Sequence, residues 1–227
     1  MLMEGPQKSL VSLEEVGAPV PRGEERQRRA IECAAALFLR DGIANVKMTD
    51  IADAAGVGVA TLYRRFSTKT RIAIAAATLM WERFNERISG LVESSSFLAM
   101  SGAERLETLL REYSANYVAN REFVSFLDEF DHLVLAEGAT AEEMAGYGRE
   151  VDSFYLIFED AYQLGTQDGS VAPIADFRLF YSAVAHALIG VAEKLARGEV
   201  IPSDDFSRGN DELECIVDMA VRSIKAS

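Results

Sequence analysis

Six side chains between residues 59 and 65 combine small size, a hydroxyl and positive charge in an order that suits contact with DNA. The small residues come first and would let the backbone approach base edges, while Thr61 offers a hydroxyl that can bond a base edge or touch a thymine methyl. A phenol and two guanidinium groups follow, and these groups bond phosphate oxygens. The residues of this stretch predicted to contact DNA are Val59, Ala60, Thr61, Tyr63, Arg64 and Arg65.

Three further residues flank this stretch and would extend its surface. Lys47 and Thr49 precede it, and Lys69 follows it. Phosphates attract cations whatever the base sequence, so we add Lys47, Thr49 and Lys69 to the predicted DNA contacts. An ordinary helical hairpin with a solvated charged face is the alternative interpretation of the pattern.

A short helix must precede these contacts. Thr49 can cap its start through the hydroxyl, and Asp50 places a negative charge against the positive end of the helix. Apolar residues then recur on one face, at Ile51, Ala54 and Ala55. Gly56 is the residue type best able to take the left-handed conformation that ends a helix, so we expect the chain to turn there.

A second short helix carries the predicted contacts themselves. Val57 falls into the small core and Gly58 opens the helix. Leu62 and Phe66 then face inward one turn apart, which leaves the small, hydroxyl and basic residues outside. The pattern predicts a helix-turn-helix whose second helix enters a major groove.

The run from Ala30 to Ile72 resembles the DNA-binding region of the tetracycline-repressor (TetR) family of bacterial transcriptional regulators. The resemblance rests on the amphipathic helix AIECAAALFLRDG and on the segments MTDIADAAGV and TLYRRF. Tyr63, Phe66 and Lys69 stand at the Y-x-x-F-x-x-K spacing that marks the family. Gly58, Ala60 and Arg64 depart from the residues common in the family, and these departures concern base preference.

The resemblance implies how the whole chain is organised. The first helix of a three-helix head would run from residue 23 to residue 40, and a fourth, from residue 68 to about residue 90, would connect the head to a ligand-binding body. The last two helices would form a homodimer, which binds a palindromic operator in double-stranded DNA through two recognition helices roughly 34 to 36 Å apart. A small-molecule effector would release a regulator that, in this family, is most often a repressor.

Residues beyond 102 show helical periodicity without a competing strand pattern. We predict helices near residues 103–119, 121–136, 140–168, 173–198 and 209–225. Small residues in the penultimate helix, at Ala183, Ala187 and Gly190, would let a partner helix approach closely. The predicted fold class is all-α, with an N-terminal three-helix head that contains the helix-turn-helix and a larger helical-bundle body for ligand binding and dimerisation.

Charge divides the chain into three parts. Residues 1–21, which include three prolines and show no helical period, are predicted to be a flexible N-terminal extension. Residues 22–71 carry ten Lys or Arg and six Asp or Glu, a net charge of +4 that suits a DNA-binding domain. Residues 72–227 carry 12 basic and 27 acidic residues, a net charge of −15, and are predicted to form the effector-binding and dimerisation domain.

Aromatic residues concentrate at 113–135 and 147–164, too many for one narrow core stripe. By the resemblance, the body encloses a pocket among these central helices. Aromatic residues at helical spacing are also ordinary core residues, and that interpretation stays open for each one. The predicted ligand-binding residues are Tyr113, Tyr117, Phe126, Phe130, Tyr155, Phe158 and Tyr162.

Glu129 and His132 form a Glu-x-x-His pair, which is the half-site of a di-iron carboxylate bundle. A complete site needs a second such pair, but the only other histidine, His186, has Ala183 at the required position. The sequence also lacks a glycine-rich phosphate loop and a nucleophile elbow. We therefore predict no metal, no cofactor and no enzymatic activity.

The expected location is the cytoplasm, without a membrane partner. No apolar run approaches the roughly 20 residues that span a bilayer, and the N-terminus lacks a charged-then-apolar signal pattern. Cys33 and Cys215 lie in apolar helical patterns far apart in sequence, so we expect buried free thiols.

These observations predict a ligand-responsive, DNA-binding transcriptional regulator. The alternative from another class is a helical-bundle carrier of small molecules, or an enzyme, with a vestigial head. Sequence-selective binding to the DNA upstream of the gene distinguishes the two hypotheses.

Overall fold

The computed structural model describes residues 22–198 and 206–226. Within these ranges the chain forms ten α-helices, one turn of 3-10 helix at Phe206–Arg208, and a single isolated bridge between Val171 and Lys225. The fold is all-α, as predicted. The α-helices are α1 (Arg22–Asp41), α2 (Met48–Ala55), α3 (Val59–Phe66), α4 (Lys69–Val92), α5 (Ser95–Leu98), α6 (Gly102–Ala119), α7 (Arg121–Ala136), α8 (Ala141–Asp168), α9 (Phe177–Arg197) and α10 (Gly209–Ile224).

The first three helices pack around a small apolar core. Phe38 of α1, Ile51 of α2 and Leu62 of α3 are almost completely buried. Helix α1 packs against α2 and α4, and α3 packs against α2 and α4. Burial of one such side chain contributes roughly 1.5–3 kcal/mol, so these contacts hold two short helices that would not persist alone.

Helix α2 begins two residues earlier than the sequence suggested. Lys47 is the N-cap residue, and its backbone N–H donates a 2.8 Å hydrogen bond to the carboxylate of Asp50. Starting the helix at Met48 buries that apolar side chain, whereas Thr49 lies exposed within the first turn. The predicted Thr49 cap was therefore wrong. The apolar stripe also differs, because Ala52 is buried and the predicted Ala54 is exposed.

Helix α4 links the first three helices to the rest of the chain. The side chain of Thr68 caps it by accepting a hydrogen bond from the backbone N–H of Arg71. Along its length α4 packs against α1, α7 and α8, and it buries Ile72, Trp81 and Ile88. The predicted domain boundary between residues 71 and 72 falls inside this continuous helix. We keep the division into a head (residues 22–71) and a body (residues 72–227) as a proposal, and the predicted extension at residues 1–21 lies outside the described residues.

The body is a bundle in which α6 packs against α8 and α10, and α9 packs against α7, α8 and α10. Gly102 and Gly165 allow the start of α6 to lie directly against the end of α8, because a Cβ atom on Gly102 would overlap the backbone of Gly165. The backbone N–H of Gly102 also donates to Asp168 at 2.8 Å. Helix α5, which lies between two of the predicted helices, is capped by Ser94 and buries Phe97.

Helix α9 is long and apolar enough to cross a membrane by length and composition alone. Only 22% of its most apolar window is buried within the chain. A helix that packs against a second protein chain passes the same test, so this property is weak evidence for a membrane span.

Candidate functional site: a helix-turn-helix surface and an aromatic cavity

The turn between α2 and α3 has the geometry that the sequence predicts. Gly56 has φ +68°, the left-handed conformation that ends α2. Gly58 is the N-cap residue of α3, and its carbonyl accepts a 2.8 Å hydrogen bond from the backbone N–H of Thr61. Leu62 and Phe66 face the core, as expected.

The outer face of α3 carries the residues predicted to contact DNA. Val59 is half-buried, and Tyr63 is 49% exposed despite its large apolar ring. The remaining predicted residues of this helix are also exposed: Ala60, Thr61, Arg64 and Arg65. Their contact with DNA remains a prediction, but nothing within the described part of the chain covers this face.

Three further basic or polar residues belong to α1 and to the start of α2. Lys47 and Thr49 are exposed at the start of α2. Arg26 of α1 lines the same groove as Arg64 and Arg65. The start of α1 therefore adds positive charge beside α3, where phosphate oxygens would be attracted.

Lys69 makes contacts that the sequence did not suggest. Its ammonium group donates to the backbone carbonyl oxygens of Ile43 at 2.8 Å, Val46 at 3.2 Å and Ala44 at 3.4 Å. These carbonyls belong to the loop between α1 and α2. Lys69 thus fixes that loop beside α2, and its predicted contact with phosphate remains a separate prediction.

Two glutamates of the body contact the head. Nε of Arg71 donates to Oε1 of Glu143 in α8 at 2.7 Å. The backbone N–H of Ala44 donates to Oε2 of Glu129 in α7 at 3.1 Å. Glu129 therefore serves the head rather than a metal site. The ring of His132 is exposed, with Nδ1 2.7 Å from the carbonyl oxygen of Asp128, and no metal-ligand cluster occurs among the described residues.

A cavity of about 360 Å³ lies among α4, α6, α7, α8 and α9. Three of the residues predicted to bind a ligand line it, namely Tyr113 and Tyr117 of α6 and Tyr155 of α8. The wall also includes side chains that sequence reasoning missed, and the cavity reaches solvent beside two carboxylates. The missed residues include Trp81, Asp131, Tyr147, Asp152, Arg178 and Tyr181.

The other four predicted ligand residues do not line this cavity. Phe126 and Phe130 stack on one face of α7, and Phe126 also stacks on Phe38 of α1, so this face holds α7 against the head. Phe158 is buried in the core. Tyr162 stacks on Phe177 with ring centroids 4.2 Å apart. These faces meet neighbouring helices rather than this cavity, and a role for the four residues in ligand binding stays a prediction.

Two of the missed residues lie on helices for which the sequence predicted a role other than ligand binding. Trp81 belongs to α4, which was interpreted as a connector, and Tyr181 belongs to α9, which was interpreted as a dimer helix. Both helices have an inner face as well as an outer one. The only tryptophan of the chain, placed in an apolar stripe one turn from Phe84, was the signal that could have identified the α4 wall.

The tyrosines of the cavity are neutral at ordinary pH. The hydroxyl of Tyr117 donates to that of Tyr113 at 2.6 Å, and burial raises the pKa of Tyr113 to about 12. Burial likewise raises the pKa of Tyr147 to about 12, a rise that the nearby Trp81 indole opposes. The indole nitrogen Nε1 of Trp81 is buried, and no acceptor within the described ranges meets it in good geometry.

Three charged residues line the cavity, namely Asp131, Asp152 and Arg178. The guanidinium of Arg178 lies 4.8 Å from the ring centroid of Tyr155 and donates to Asp152 at 3.1 Å. Asp131 makes no ion pair with any described residue. Burial, followed by the nearby charge of Asp128, raises the pKa of Asp131 above its ordinary value.

A helix-turn-helix with an exposed, basic second helix, carried by an acidic helical body that contains a cavity, defines a helix-turn-helix transcriptional regulator. Residues 30–76 match the bacterial regulatory proteins of the tetR family. This match confirms the resemblance that the sequence shows over the same region.

Two curated relatives are transcriptional repressors. The HTH-type transcriptional repressor KstR of Mycolicibacterium smegmatis is 24% identical over 147 residues, which cover 65% of this chain and 68% of that protein. KstR of Rhodococcus jostii is 34% identical over 64 residues, which cover 28% of this chain and 30% of that protein.

Solved structures share the fold along most of the chain. A transcriptional regulator from Saccharomonospora viridis in complex with choline has a TM-score of 0.65 and 19% identity, with 91% of this chain and 100% of that chain covered. A TetR regulator from Rhodococcus sp. RHA1 has a TM-score of 0.59 and 19% identity, with coverages of 88% and 97%. The regulator FadR from Bacillus subtilis in complex with stearoyl-CoA has a TM-score of 0.54 and 17% identity, with coverages of 84% and 97%. At these identities the likeness establishes the fold.

Proposed function

We propose that this regulator binds a palindromic operator as a homodimer in the cytoplasm and is released by a small-molecule effector bound in the aromatic cavity. The observation that carries the proposal is the outer face of α3, where small residues precede a hydroxyl and two guanidinium groups. Such a face brings the start of the helix to base edges and its end to phosphates. The proposed DNA contacts are Lys47, Thr49, Val59, Ala60, Thr61, Tyr63, Arg64, Arg65 and Lys69.

Exposed apolar side chains on α9 and α10 support the proposed dimer. Leu179 of α9 is 67% exposed and Met219 of α10 is 59% exposed. Ala183, Ala187 and Gly190 are also exposed on α9, so a partner helix could pack closely against this face. Cys215, predicted to be buried, is exposed one turn from Met219 on α10. Exposed apolar and small side chains on two packed helices are typical of an interface.

The cavity supports the proposed effector site. Its volume of about 360 Å³ is in the range of small-molecule sites. Proteins of this fold from S. viridis and B. subtilis were solved with choline and with stearoyl-CoA, respectively. Tyr113, Tyr117 and Tyr155 are the predicted residues that would contact the ligand.

The route from cavity to DNA passes through α4. Trp81 lines the cavity in the middle of this helix, while Lys69 and Arg71 in its first turn contact the α1–α2 loop and Glu143. A ligand that binds best when α4 takes a different position would move the head relative to the body. The effector then weakens operator binding by as much as its affinity differs between the two positions.

Operator binding tests the proposal directly. Fluorescence anisotropy with DNA from upstream of the gene should show affinity above that for a scrambled duplex at moderate salt. Arg64→Ala should weaken operator binding by about 1–3 kcal/mol, because a phosphate or base contact is lost. Arg149→Ala removes an equally exposed arginine from the body and serves as the matched control.

Two outcomes contradict the proposal. Equal affinity for operator and scrambled DNA would favour a small-molecule carrier or an enzyme with a vestigial head. Equal losses of operator affinity in Arg64→Ala and Arg149→Ala would show that α3 is not the contact surface. The losses would then come from the change in net charge alone.

A further inference from the structure

Aromatic side chains form a large part of the wall of the aromatic cavity. All six aromatic residues of its wall carry a hydrogen-bonding group as well as a ring, and they come from α4, α6, α8 and α9. The electron-rich faces of such rings attract cations. The six residues are Trp81, Tyr113, Tyr117, Tyr147, Tyr155 and Tyr181.

The charged residues of the wall leave one negative charge unbalanced. Arg178 donates a 3.1 Å hydrogen bond to Asp152, and the charges of these two side chains cancel. Asp131 has no such partner within the described ranges, although it lines the same cavity and stays in contact with solvent at its mouth. Burial, followed by the charge of Asp128, raises the pKa of Asp131, and the nearby His132 opposes this rise. His186, the remaining titratable group besides the tyrosines, is exposed.

One side chain of this wall, Arg178, is itself a cation held by an aromatic ring and a carboxylate. The guanidinium of Arg178 lies over the ring of Tyr155, 4.8 Å from its centroid, and Asp152 provides the counter-charge. A ring face and a carboxylate thus hold a delocalised cation at the cavity edge. Asp131 and the other aromatic rings of the wall offer the same two kinds of group, and no described Lys or Arg forms an ion pair with Asp131.

An anionic ligand meets the opposite conditions. Arg178 is the only Lys or Arg among the described residues that line the cavity, and an anion would have to displace its bond with Asp152. The surrounding body carries 12 basic and 27 acidic residues, so the long-range field also repels anions. A wholly neutral ligand would leave the charge of Asp131 uncompensated.

We propose that the effector of this regulator is a small organic cation of the quaternary or tertiary ammonium class, held by the aromatic faces of the cavity with Asp131 as its counter-charge. The ring faces contact the alkyl groups around the nitrogen, where the positive charge is spread. The proposal rests on the proposed function, since it assigns a ligand class to the effector cavity.

The single tryptophan of the chain provides the test. Because Trp81 is 5% exposed and lines the cavity, its fluorescence reports occupancy there. The intact protein is titrated with benzyltrimethylammonium, with neopentylbenzene, which has carbon in place of nitrogen, and with benzylsulfonate. The cation should bind roughly tenfold or more tightly than its neutral analogue, and the anion should not bind.

Substitutions locate the counter-charge. Asp131→Asn should weaken binding of benzyltrimethylammonium roughly fivefold and leave binding of neopentylbenzene unchanged. Asp160→Asn makes the same charge change on an exposed part of α8 outside the cavity and should leave both unchanged. Tyr181→Leu keeps an apolar wall but removes one aromatic ring. This substitution should weaken binding of benzyltrimethylammonium and leave binding of neopentylbenzene unchanged.

Equal binding of cation and neutral analogue, tighter binding of the sulfonate, or equal losses in Asp131→Asn and Asp160→Asn would overturn the proposal. These readouts do not involve DNA, so the two proposals fail separately. A protein that selects its operator but prefers benzylsulfonate retains the proposed function and loses the cation assignment. A protein that binds the cation through Asp131 but has no operator preference retains the cation assignment and loses the proposed function.

Discussion

Nε of Arg71 lies 2.7 Å from Oε1 of Glu143, and this bond joins the first turn of α4 to the first turn of α8. The second carboxylate oxygen of Glu143 accepts the backbone N–H of Thr140 at 3.0 Å. One carboxylate therefore caps the helix that supplies Tyr147 and Tyr155 to the cavity and also holds the helix that leads to the head. The cap and the inter-helix bond depend on the same negative charge.

This shared charge predicts a pH dependence. The backbone N–H of Thr140, followed by Arg71, holds the pKa of Glu143 below its ordinary value of 4.5. A lowered folded-state pKa stabilises the protein above pH 4.5, and this contribution disappears as the pH falls through the folded-state value. Glu143→Gln should therefore lower the Tm at pH 7, and this difference should disappear as the pH falls below the folded-state pKa of Glu143. Glu142→Gln, which alters a neighbouring exposed carboxylate, should give a smaller difference; equal effects in the two variants would contradict the prediction.

Lys69 should contribute more than Lys47 to the free energy of unfolding. Lys69→Met removes the donor to three loop carbonyls and should lower the free energy of unfolding by about 1–3 kcal/mol, since hydrogen bonds from a charged donor are lost. Lys47→Met changes an exposed side chain and should stay within about 0.5 kcal/mol of the parent. Urea unfolding measures both. A Lys69 variant as stable as the Lys47 variant would show that the loop does not need the ammonium group.

The exposed apolar face of α9 and α10 predicts the oligomeric state. Leu179→Glu or Met219→Glu should convert a dimer into a monomer, because two copies of the charge would be buried at a two-fold interface. Leu135→Glu places the same charge on a leucine that is 80% exposed near the end of α7 and should remain dimeric. Light scattering after size-exclusion chromatography distinguishes the states. A dimer in all three variants would place the interface elsewhere.

The contact between α6 and α8 depends on two glycines. Gly102→Ala should destabilise the protein by about 1–3 kcal/mol, since the added methyl group would meet the backbone of Gly165, which cannot rotate away. Gly90→Ala adds the same methyl group to α4 where nothing lies within 4 Å, and it should stabilise by about 0.4–1 kcal/mol. Thermal unfolding of the pair provides the comparison. A shift of the same sign in both variants would contradict the close approach.

The sequence predicts local structure in this chain better than it predicts long-range contacts. The outward face of α3 follows from the spacing of Leu62 and Phe66 and from the turn at Gly56, all within a dozen residues. The cap of α2 was misplaced because the burial of Met48 decides where that helix begins. That burial depends on α1, which lies outside the local pattern.

The cavity shows the same limit more strongly. An apolar stripe on a helix shows which face is buried but not which helix it meets, so Phe126 and Tyr113 could not be told apart before their neighbours were known. The contribution of Trp81 depends on the packing of α4 against α8. The role of Lys69 depends on carbonyl groups about 25 positions earlier in the chain, and backbone acceptors leave no trace in side-chain pattern.

Because α4 is continuous between Lys69 and Trp81, a small tilt of the helix at the cavity produces a larger displacement at the head. These residues are twelve positions apart in an unbroken helix, a separation of about 18 Å along the axis. A tilt of about 5° at the tryptophan would therefore carry the lysine and its attached loop by about 1.6 Å. In a two-fold assembly both recognition helices would move together, so the spacing between them would change by up to about twice that displacement.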